Sequence, residues 1–313
     1  MKHRNMIGEF KTIFDLVKAF PTEQDCINHL ESILWKDGVV SPFDPTSKVY
    51  KCAGGKYKCK NTGKYFNVKV GSIFEDTKIP LIKWFMTLFI FSSHKKGISS
   101  HQLAKDIGVT QKSAWFMLHR LRYAFNHPAF KEITGENIVE IDETFMGGDE
   151  KNKHSNKRTK GTQGRSSKTK TPVLGIKERN GNIVATVIEN TSSKELHPVI
   201  NAIVPEDSIV STDEWLGYNG LSDDYTHIRV NHSAKEYVNM MASTNGVENF
   251  WSHLKRGIEG INHWVSEEHL QKYVNEYSLR YNTRKHTTNE RFNLILNNIT
   301  LRVRYQDLIN HGK

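Results

Sequence analysis

Three acidic residues stand far apart in the chain, each in a context that could place a carboxylate at a catalytic site. Asp142 and Asp213 each follow a run of apolar residues typical of a buried strand, and Glu248 lies among apolar residues at helical spacing. Carboxylates suit Mg²⁺ and Mn²⁺, and two such ions about 4 Å apart can activate a water or a 3′-hydroxyl for in-line phosphoryl displacement. The three acids therefore predict a catalytic site for two Mg²⁺ (or Mn²⁺) ions.

Two of these acids have rivals beside them in the sequence. Glu143 adjoins Asp142, and Glu214 adjoins Asp213. We expect each strand to end at its aspartate. This expectation selects Asp142 and Asp213 as the metal ligands.

The order of elements around the acids indicates an α/β (α+β) fold. Asn180 and Gly181 form a strong hairpin signal between two strands. The expected elements are strands at 138–142, 172–179 and 182–188, a helix from 193, a strand at 208–212, a short helical stretch at 215–221, a strand at 227–231 and a long helix around 248. This is the order of a ribonuclease-H-like domain with a mixed five-stranded sheet. Resemblance to that fold implies that the first and fourth strands are neighbours, so that Asp142 and Asp213 would meet.

The long helix has an apolar stripe and an adjoining polar face. Trp251 belongs to the stripe, and we expect it to anchor the helix to the core. Asn245, Glu248 and Lys255 share the polar face. Asn245 lies one turn before Glu248, so it is open whether Asn245 assists or replaces Glu248 as a ligand, although a carboxylate binds Mg²⁺ more strongly than a neutral amide does.

The composition predicts a polyanionic partner. The 313 residues include 44 Lys and Arg against 34 Asp and Glu, a formal net charge of +10. A nucleic acid is the expected partner of such a basic chain.

Three further features concern location. The 3 cysteines are an odd number and predict a reducing compartment rather than a disulfide framework. The apolar run at 79–91 contains Lys83 and is shorter than the roughly 20 residues of a membrane span. Glu9 and Asp15 interrupt the N-terminal segment before a signal peptide could form. We expect a cytoplasmic, nucleoid-associated protein with no membrane partner.

Residues 97–122 have the pattern of a helix-turn-helix. Ser99 or Ser100 can cap a first helix, Gly108 can form the turn, and Thr110 can cap a second helix. We expect four polar residues of the second helix to point outward and contact DNA, namely Gln111, Lys112, His119 and Arg120. A plain helical hairpin is the alternative. The small residues Ala104 and Gly108, which allow close approach of the helices, favour the DNA-binding form.

Four motifs carry a family resemblance. They are VEIDETFMGG from Val139, STDE from Ser211, VNHS from Val230 and TNGVENFWSHLKRG from Thr244. Together they resemble bacterial insertion-sequence transposases of the DDE superfamily, in the sub-group with an N-terminal zinc-ribbon-like module.

The resemblance implies an enzyme that binds terminal inverted repeats and performs metal-dependent DNA strand cleavage and strand transfer, with double-stranded DNA (transposon ends and target) as its partner. It implies Asp142, Asp213 and Glu248 as the metal-binding triad. Basic residues near and beyond this helix are then expected to contact DNA: Lys255, Arg256, Arg280 and Arg284. Asn245 and His232 are possible auxiliary residues, although a structural histidine is an alternative for His232. Joining two DNA ends at once predicts a homodimer or a larger assembly on DNA.

Two other functions stay open at this stage. One is a catalytically silent, transposase-derived DNA-binding regulator. The other is a stand-alone ribonuclease-H-like nuclease, which would cleave DNA without joining it to a second duplex.

The ribbon departs from the family pattern. Where two Cys-x-x-Cys pairs are expected, the chain has Ser41 to Asp44 and Cys59 to Thr62, so three of the four ligands are absent. Zinc is therefore unlikely by this criterion. The short strands expected at 48–52, 56–59 and 65–70 alternate lysines with aromatic residues, which fits either a surface that grips phosphate or an ordinary amphipathic sheet.

The expected organisation has five parts. These are an N-terminal helical segment (1–37), a degenerate zinc-ribbon-like β module (38–75), a helix-turn-helix region (76–125), a ribonuclease-H-like catalytic domain (126–290) and a C-terminal helical tail (291–313). A basic loop at 147–171 inside the catalytic domain is rich in Gly, Ser, Thr and Asn. We expect this loop to be mobile until it meets DNA.

Overall fold

The computed structural model describes residues 10–148, 154–159, 169–230 and 243–309. The chain forms two compact units. The first unit consists of Met1–Ala124 and Lys285–His311, and the second of Phe125–Arg284 with Gly312–Lys313.

The first unit opens with two short helices, α1 (Ile13–Ala19) and α2 (Glu23–Leu34). Each starts with a capping box, in which a threonine hydroxyl (Thr12 or Thr22) accepts a hydrogen bond from the backbone N–H three residues on. The aspartate at that position accepts in return from the threonine N–H. These reciprocal bonds satisfy two otherwise unpaired donors and fix where each helix begins.

A small antiparallel sheet follows, built from β1 (Val49–Cys52), β2 (Lys56–Cys59) and β3 (Tyr65–Phe66). We call these three strands and their turns the ribbon. The third strand is shorter than the predicted 65–70. Oδ1 of Asn67 accepts from the Lys69 N–H at 3.0 Å, and this local turn ends the strand after Phe66.

Three helices complete this part of the first unit: α3 (Leu81–Ser93), α4 (Ser100–Ile107) and α5 (Gln111–Ala124). The predicted pair of helices around Gly108 is present. Ser99 caps α4, Gly108 ends it in the left-handed region at φ 62°, and the Thr110 hydroxyl accepts from the Ser113 N–H at the start of α5. Glycine suits Gly108 because an L side chain rarely adopts that conformation.

The second unit is organised on a five-stranded sheet of β4 (Val139–Met146), β5 (Thr171–Glu178), β6 (Ile183–Val187), β7 (Ile209–Thr212) and β8 (Thr226–Arg229). The spatial order is β6-β5-β4-β7-β8. The first three pair antiparallel, whereas β7 is parallel to β4 and β8 is parallel to β7. This mixed sheet confirms the predicted ribonuclease-H-like fold class, with the first and fourth strands adjacent.

Helices cover both faces of this sheet. α6 (Ser193–Ile203) packs through Leu196 and Ile200 against Val139 and Ile141 on one face. α7 (Asn245–Gly257) and α8 (Glu267–Asn282) pack on the other face, against Val173, Ile183 and Ala185. The short helical stretch predicted at 215–221 consists of two 3₁₀ turns, Leu216–Tyr218 and Leu221–Asp223.

The C-terminal segment belongs to the first unit. α9 (Thr288–Asn297) packs against α3, and the ring of Phe292 meets those of Phe10 and Phe85 at centroid distances of 4.9 and 5.8 Å. The last described helix is α10 (Tyr305–Ile309). In the parts of the chain covered by the structure, no helix is both long and apolar enough to cross a membrane.

Candidate active site

The parallel pairing of β4 with β7 brings the first two predicted acids together. Glu140 pairs with Ser211, so the same register carried two residues further places Asp142 opposite Asp213. β7 ends at Thr212, directly before Asp213, as predicted. The prediction that the first strand also ends at its aspartate is wrong, because β4 continues to Met146 while its pairing with β5 continues.

Asp142 lies in a setting that disfavours its negative charge. Burial raises the pKa of Asp142 to about 7, and the charges of Glu143 and Asp213 act in the same direction. A hydrogen bond from the indole Nε1–H of Trp251 to Oδ2 of Asp142, 2.9 Å long, acts in the opposite direction. Partly buried carboxylates that repel one another are stabilised by a bound cation, so this donor set fits a divalent metal ion.

A glycine makes the contact between Trp251 and Asp142 possible. Gly175 pairs with Asp142 across β4 and β5. A Cβ atom at Gly175 would lie 2.6 Å from Trp251 Cζ2 and 2.9 Å from Val247 Cγ2. Any larger residue would therefore push α7 away from the sheet.

A second acid of β4 holds the start of α7. Glu140 is buried, and its Oε2 accepts hydrogen bonds from the N–H groups of Gly246 (2.7 Å) and Val247 (3.1 Å). Its Oε1 accepts from Arg179 Nε at 3.3 Å. A carboxylate at a helix N-terminus satisfies unpaired donors and complements the helix dipole. A Cβ at Gly246 would lie 2.5 Å from Oε2 of Glu140, which explains a glycine in the first turn.

Sequence reasoning did not assign this role to Glu140. Glu140 and Asp142 lie two positions apart on one strand, so both side chains face α7. The sequence signal for this contact was Gly246. Glycine disfavours a helix, so a glycine in the first turn of α7 indicates that another group approaches its backbone closely.

Glu143 is held by a different partner. The Tyr218 hydroxyl donates to Oε2 of Glu143 at 2.6 Å, and Tyr218 is fully buried. Burial, together with the charges of Glu143 and Asp142, raises the pKa of Tyr218 well above its ordinary value, so the phenol stays protonated and donating. This bond holds one oxygen of the Glu143 carboxylate against Tyr218.

Glu248 lies on the exposed side of α7. Its Oε1 accepts a hydrogen bond from the Thr244 hydroxyl at 3.1 Å. Asn245, the first residue of α7, is also exposed. Among the residues that the structure describes, no three His, Cys, Asp or Glu side chains form a group that could hold a metal ion. The structure thus brings Asp142 and Asp213 together and leaves Glu248 on the neighbouring helix, bonded to Thr244.

Comparison with known proteins places this site in a family. A family described as the ISXO2-like transposase domain matches residues 133–282. An uncharacterized transposase-like protein of Haemophilus influenzae is 35% identical over 101 residues, which are 32% of this chain and 80% of that protein. The chain belongs to the insertion-sequence transposases of the DDE type.

A second relative covers more of the transposase. An uncharacterized protein in transposable element ISH50 of Halobacterium salinarum is 27% identical over 277 residues, which are 84% of this chain and 92% of that protein. No solved structure was found to match the transposase. The matched domain includes all three predicted acids and the whole five-stranded sheet.

Two predicted DNA contacts of the transposase lie close to the acids or at the surface. Lys255 on α7 is half-buried, and burial and Lys170 lower its pKa while Asp142 acts against them, which places an ammonium within electrostatic range of Asp142. Arg256 is exposed, and its Nε donates to the Ser252 carbonyl.

The two predicted contacts at the end of α8 differ from each other. Arg284 is exposed and stacks over the Tyr281 ring at 4.4 Å. Arg280 is buried and forms an ion pair with Glu276 at 2.9 Å, so it is not available at the surface as predicted. The i, i+4 spacing of Glu276 and Arg280 within α8 is the physical reason for this pair.

Two of the four α5 residues that were predicted to point outward are exposed. Gln111 and Lys112 are exposed. The prediction that His119 and Arg120 point outward is wrong, because both are buried. The Arg120 guanidinium donates to two backbone carbonyls, those of Ile73 and Glu75, each at 2.6 Å. Arg120 thus satisfies backbone acceptors of an irregular segment of the first unit and is not exposed for a contact with DNA.

The ribbon residues at the positions of the expected Cys-x-x-Cys pairs do not fit zinc. Burial would raise the pKa of the Cys59 thiol, but hydrogen bonds from the hydroxyls of Ser41, Ser47 and Thr62 outweigh it and lower the pKa to about 6. Asp44 accepts from the Asn61 amide at 2.8 Å. One sulfur that accepts hydrogen bonds from three hydroxyls is not the thiolate and imidazole set that structural zinc requires.

Two further predictions concern residues that lie wholly or partly outside the described part of the chain. His232 lies outside the described residues. The basic loop at 147–171 lies partly outside them, in 149–153 and 160–168.

Proposed function

We propose that this transposase binds the terminal inverted repeats of its insertion sequence and performs metal-dependent DNA strand cleavage and strand transfer with Asp142, Asp213 and Glu248. The observation that carries the proposal is the register of β4 with β7, which puts Asp142 beside Asp213. The raised pKa of Asp142 adds support, because it reflects carboxylate charges gathered in a partly buried place.

Asp142 and Asp213 would hold the metal ions, two Mg²⁺ or Mn²⁺, and Glu248 would complete the donor set from α7. Bound divalent ions lower the pKa of an attacking water or 3′-hydroxyl and stabilise the leaving oxygen. The family as a whole supports the use of divalent metal.

The protein's own groups orient the acids. The Trp251 N–H donates to one oxygen of Asp142 and so fixes the orientation of its carboxylate. Glu140 fixes the first turn of α7, which carries Glu248. Lys255, in electrostatic range of Asp142, supplies positive charge where a phosphate would approach.

DNA recognition is assigned to exposed polar and basic side chains. Gln111 and Lys112 start the second helix of the predicted helix-turn-helix, where recognition helices contact bases. Arg256 and Arg284 are exposed in the second unit and suit phosphate contacts. Joining two ends requires two active sites near each other, so we propose a homodimer or larger assembly on DNA.

The test uses duplexes that carry the ends of the element, with Mg²⁺ and a second target duplex. Wild-type protein is expected to cut at the ends and to join the 3′-hydroxyl ends to the target. Asp142→Ala and Asp213→Ala are expected to bind the ends as wild type does and to lose both reactions. Cutting without joining would indicate a nuclease, and specific end binding without cutting by wild type would indicate a DNA-binding regulator.

A further inference from the structure

The ribbon is surrounded by an unusual run of charge. Between Asp44 and Glu75 the sequence has no acidic residue. The same stretch contains 7 lysines, at positions 48, 51, 56, 58, 60, 64 and 69. Nothing in this part of the sequence offsets their charge, so the ribbon surface is positive.

The strand register puts aromatic and basic residues in one row on the exposed face. Lys58 in the middle strand pairs with Tyr50 on one side and with Tyr65 on the other. Both tyrosines are exposed, at 43% and 58%. The opposite face packs Tyr57, Cys59 and Phe66 into the small core of the ribbon. One face of the sheet is therefore committed to the core and the other is open to a partner.

Three ammonium groups are held over aromatic rings around this row. Lys48 lies over Tyr50 at 5.6 Å, Lys58 over Tyr65 at 5.4 Å, and Lys64 over Phe43 at 5.2 Å. A cation attracted to a ring face samples fewer positions than a free lysine. Less side-chain entropy is then lost when the ammonium contacts a partner. We call Lys48, Lys58, Lys64 and their three rings the lysine face.

We propose that the lysine face grips the phosphate backbone of duplex DNA without reading its sequence. The inference rests on the proposed function insofar as DNA is the polyanion that a transposase meets. Lysine supplies point charge and no acceptor, so it contacts phosphates without distinguishing bases. The ring faces are covered by their own ammonium groups, which disfavours base stacking and hence a single-stranded partner.

Salt dependence tests this assignment directly. The full-length triple variant Lys48→Ala/Lys58→Ala/Lys64→Ala and wild type are titrated with an end duplex and a scrambled duplex over a range of KCl concentrations. Log K falls linearly with log salt, and each lost phosphate contact makes this negative slope less steep by about 0.9, so the slope of the triple variant should be shallower by about 2.7. The loss of affinity should be the same for both duplexes.

Two control variants test whether the change in slope comes from the lost charge on the lysine face. Lys18 lies over the Phe14 ring at 4.5 Å on α1, which is the same kind of pair outside the ribbon, and Lys18→Ala is expected to leave the slope unchanged. The triple Lys→Arg variant is expected to keep the wild-type slope, because charge is retained. An unchanged thermal unfolding midpoint for the alanine variant excludes misfolding as the cause.

Three outcomes would overturn the inference: an unchanged slope, a loss confined to the end duplex, or a loss seen with single-stranded DNA and not with duplex. These outcomes are separate from failure of the proposed function, which is judged by whether wild-type protein cuts and joins the ends. A protein that does not cut could still show the altered slope, and a cutting protein could fail to show it.

Discussion

The indole N–H of Trp251 donates to Oδ2 of Asp142 over 2.9 Å, and so connects helix α7 to strand β4. We predict that Trp251→Phe reduces the single-turnover rate of end cleavage by about tenfold, the equivalent of one hydrogen bond to a charged group. End binding should be unchanged. Trp84→Phe is the matched control, because Trp84 is also buried and its N–H donates to a side chain, the Thr77 hydroxyl, at 3.3 Å, far along the chain from the acids. Equal rates for the two variants would contradict the role of Trp251.

Glu140 is expected to position α7. Glu140→Gln removes the negative charge at the helix N-terminus and puts an amide NH₂ in place of the oxygen that accepts from Arg179, at a cost of about 1–2 kcal/mol. Faster amide hydrogen exchange at Gly246 and Val247 is expected, together with slower cleavage and unchanged end binding.

The control for Glu140 is Glu178→Gln. Glu178 is equally buried and accepts from the backbone of Thr134 and Asn137, so it caps a loop rather than α7. Glu178→Gln should lower the free energy of unfolding by a similar amount. It should keep the wild-type cleavage rate and the wild-type rate of amide hydrogen exchange at Gly246. If both variants slow cleavage to the same extent, Glu140 acts through general stability and not through α7.

Gly175 is expected to tolerate no side chain. A Cβ there meets Trp251 at 2.6 Å, so Gly175→Ala should destabilise the protein by about 1–3 kcal/mol through overpacking. Denaturant unfolding measures this loss. Gly260→Ala is the control, since a Cβ at Gly260 has no atom within 4 Å. Equal stability of the two variants would show that α7 can move away from β5 at little cost.

The raised pKa of Asp142 predicts how the stability of the metal-free protein depends on pH. The ordinary value is 3.8 and the folded-state value is about 7, so the folded protein binds this proton more tightly than the unfolded chain does. The contribution of Asp142 to stability therefore falls as the pH rises from about 4 to about 7. Relative to Asp142→Asn, wild type in EDTA should lose thermal stability between pH 5 and pH 8, and Mg²⁺ should restore it at pH 8. If the thermal stability of the two proteins changed with pH in the same way, the raised pKa of Asp142 would be contradicted.

Much of the fold follows from local sequence. The Asn180-Gly181 turn marks the β5–β6 hairpin, and Asn180 adopts a φ of 61°, as this turn requires. Ser99 and Gly108 bound α4 because capping and left-handed conformations depend on neighbouring residues only. The end of β4 was misplaced because β5, which lies 25 to 31 positions further along the chain at these pairs, continues to pair with it beyond Asp142.

Burial of polar residues was the harder part. Arg120 looks like a surface residue from its type, yet two carbonyls of a distant loop draw it inside. The roles of Glu140 and Trp251 likewise depend on contacts across more than 100 positions, which helical periodicity does not encode. Asp142 and Asp213 could be selected because strand order alone makes them neighbours.

The most direct test of the central claim, that Asp142 and Asp213 hold the metal for strand cleavage, is a change of metal preference. Asp213→Cys replaces a carboxylate by a softer thiolate, which binds Mn²⁺ far better than Mg²⁺. End cleavage by this variant should be lost in Mg²⁺ and recovered in part in Mn²⁺, while wild type cuts in both. Equal loss in both metals, or full activity in Mg²⁺, would contradict a metal-binding role for Asp213.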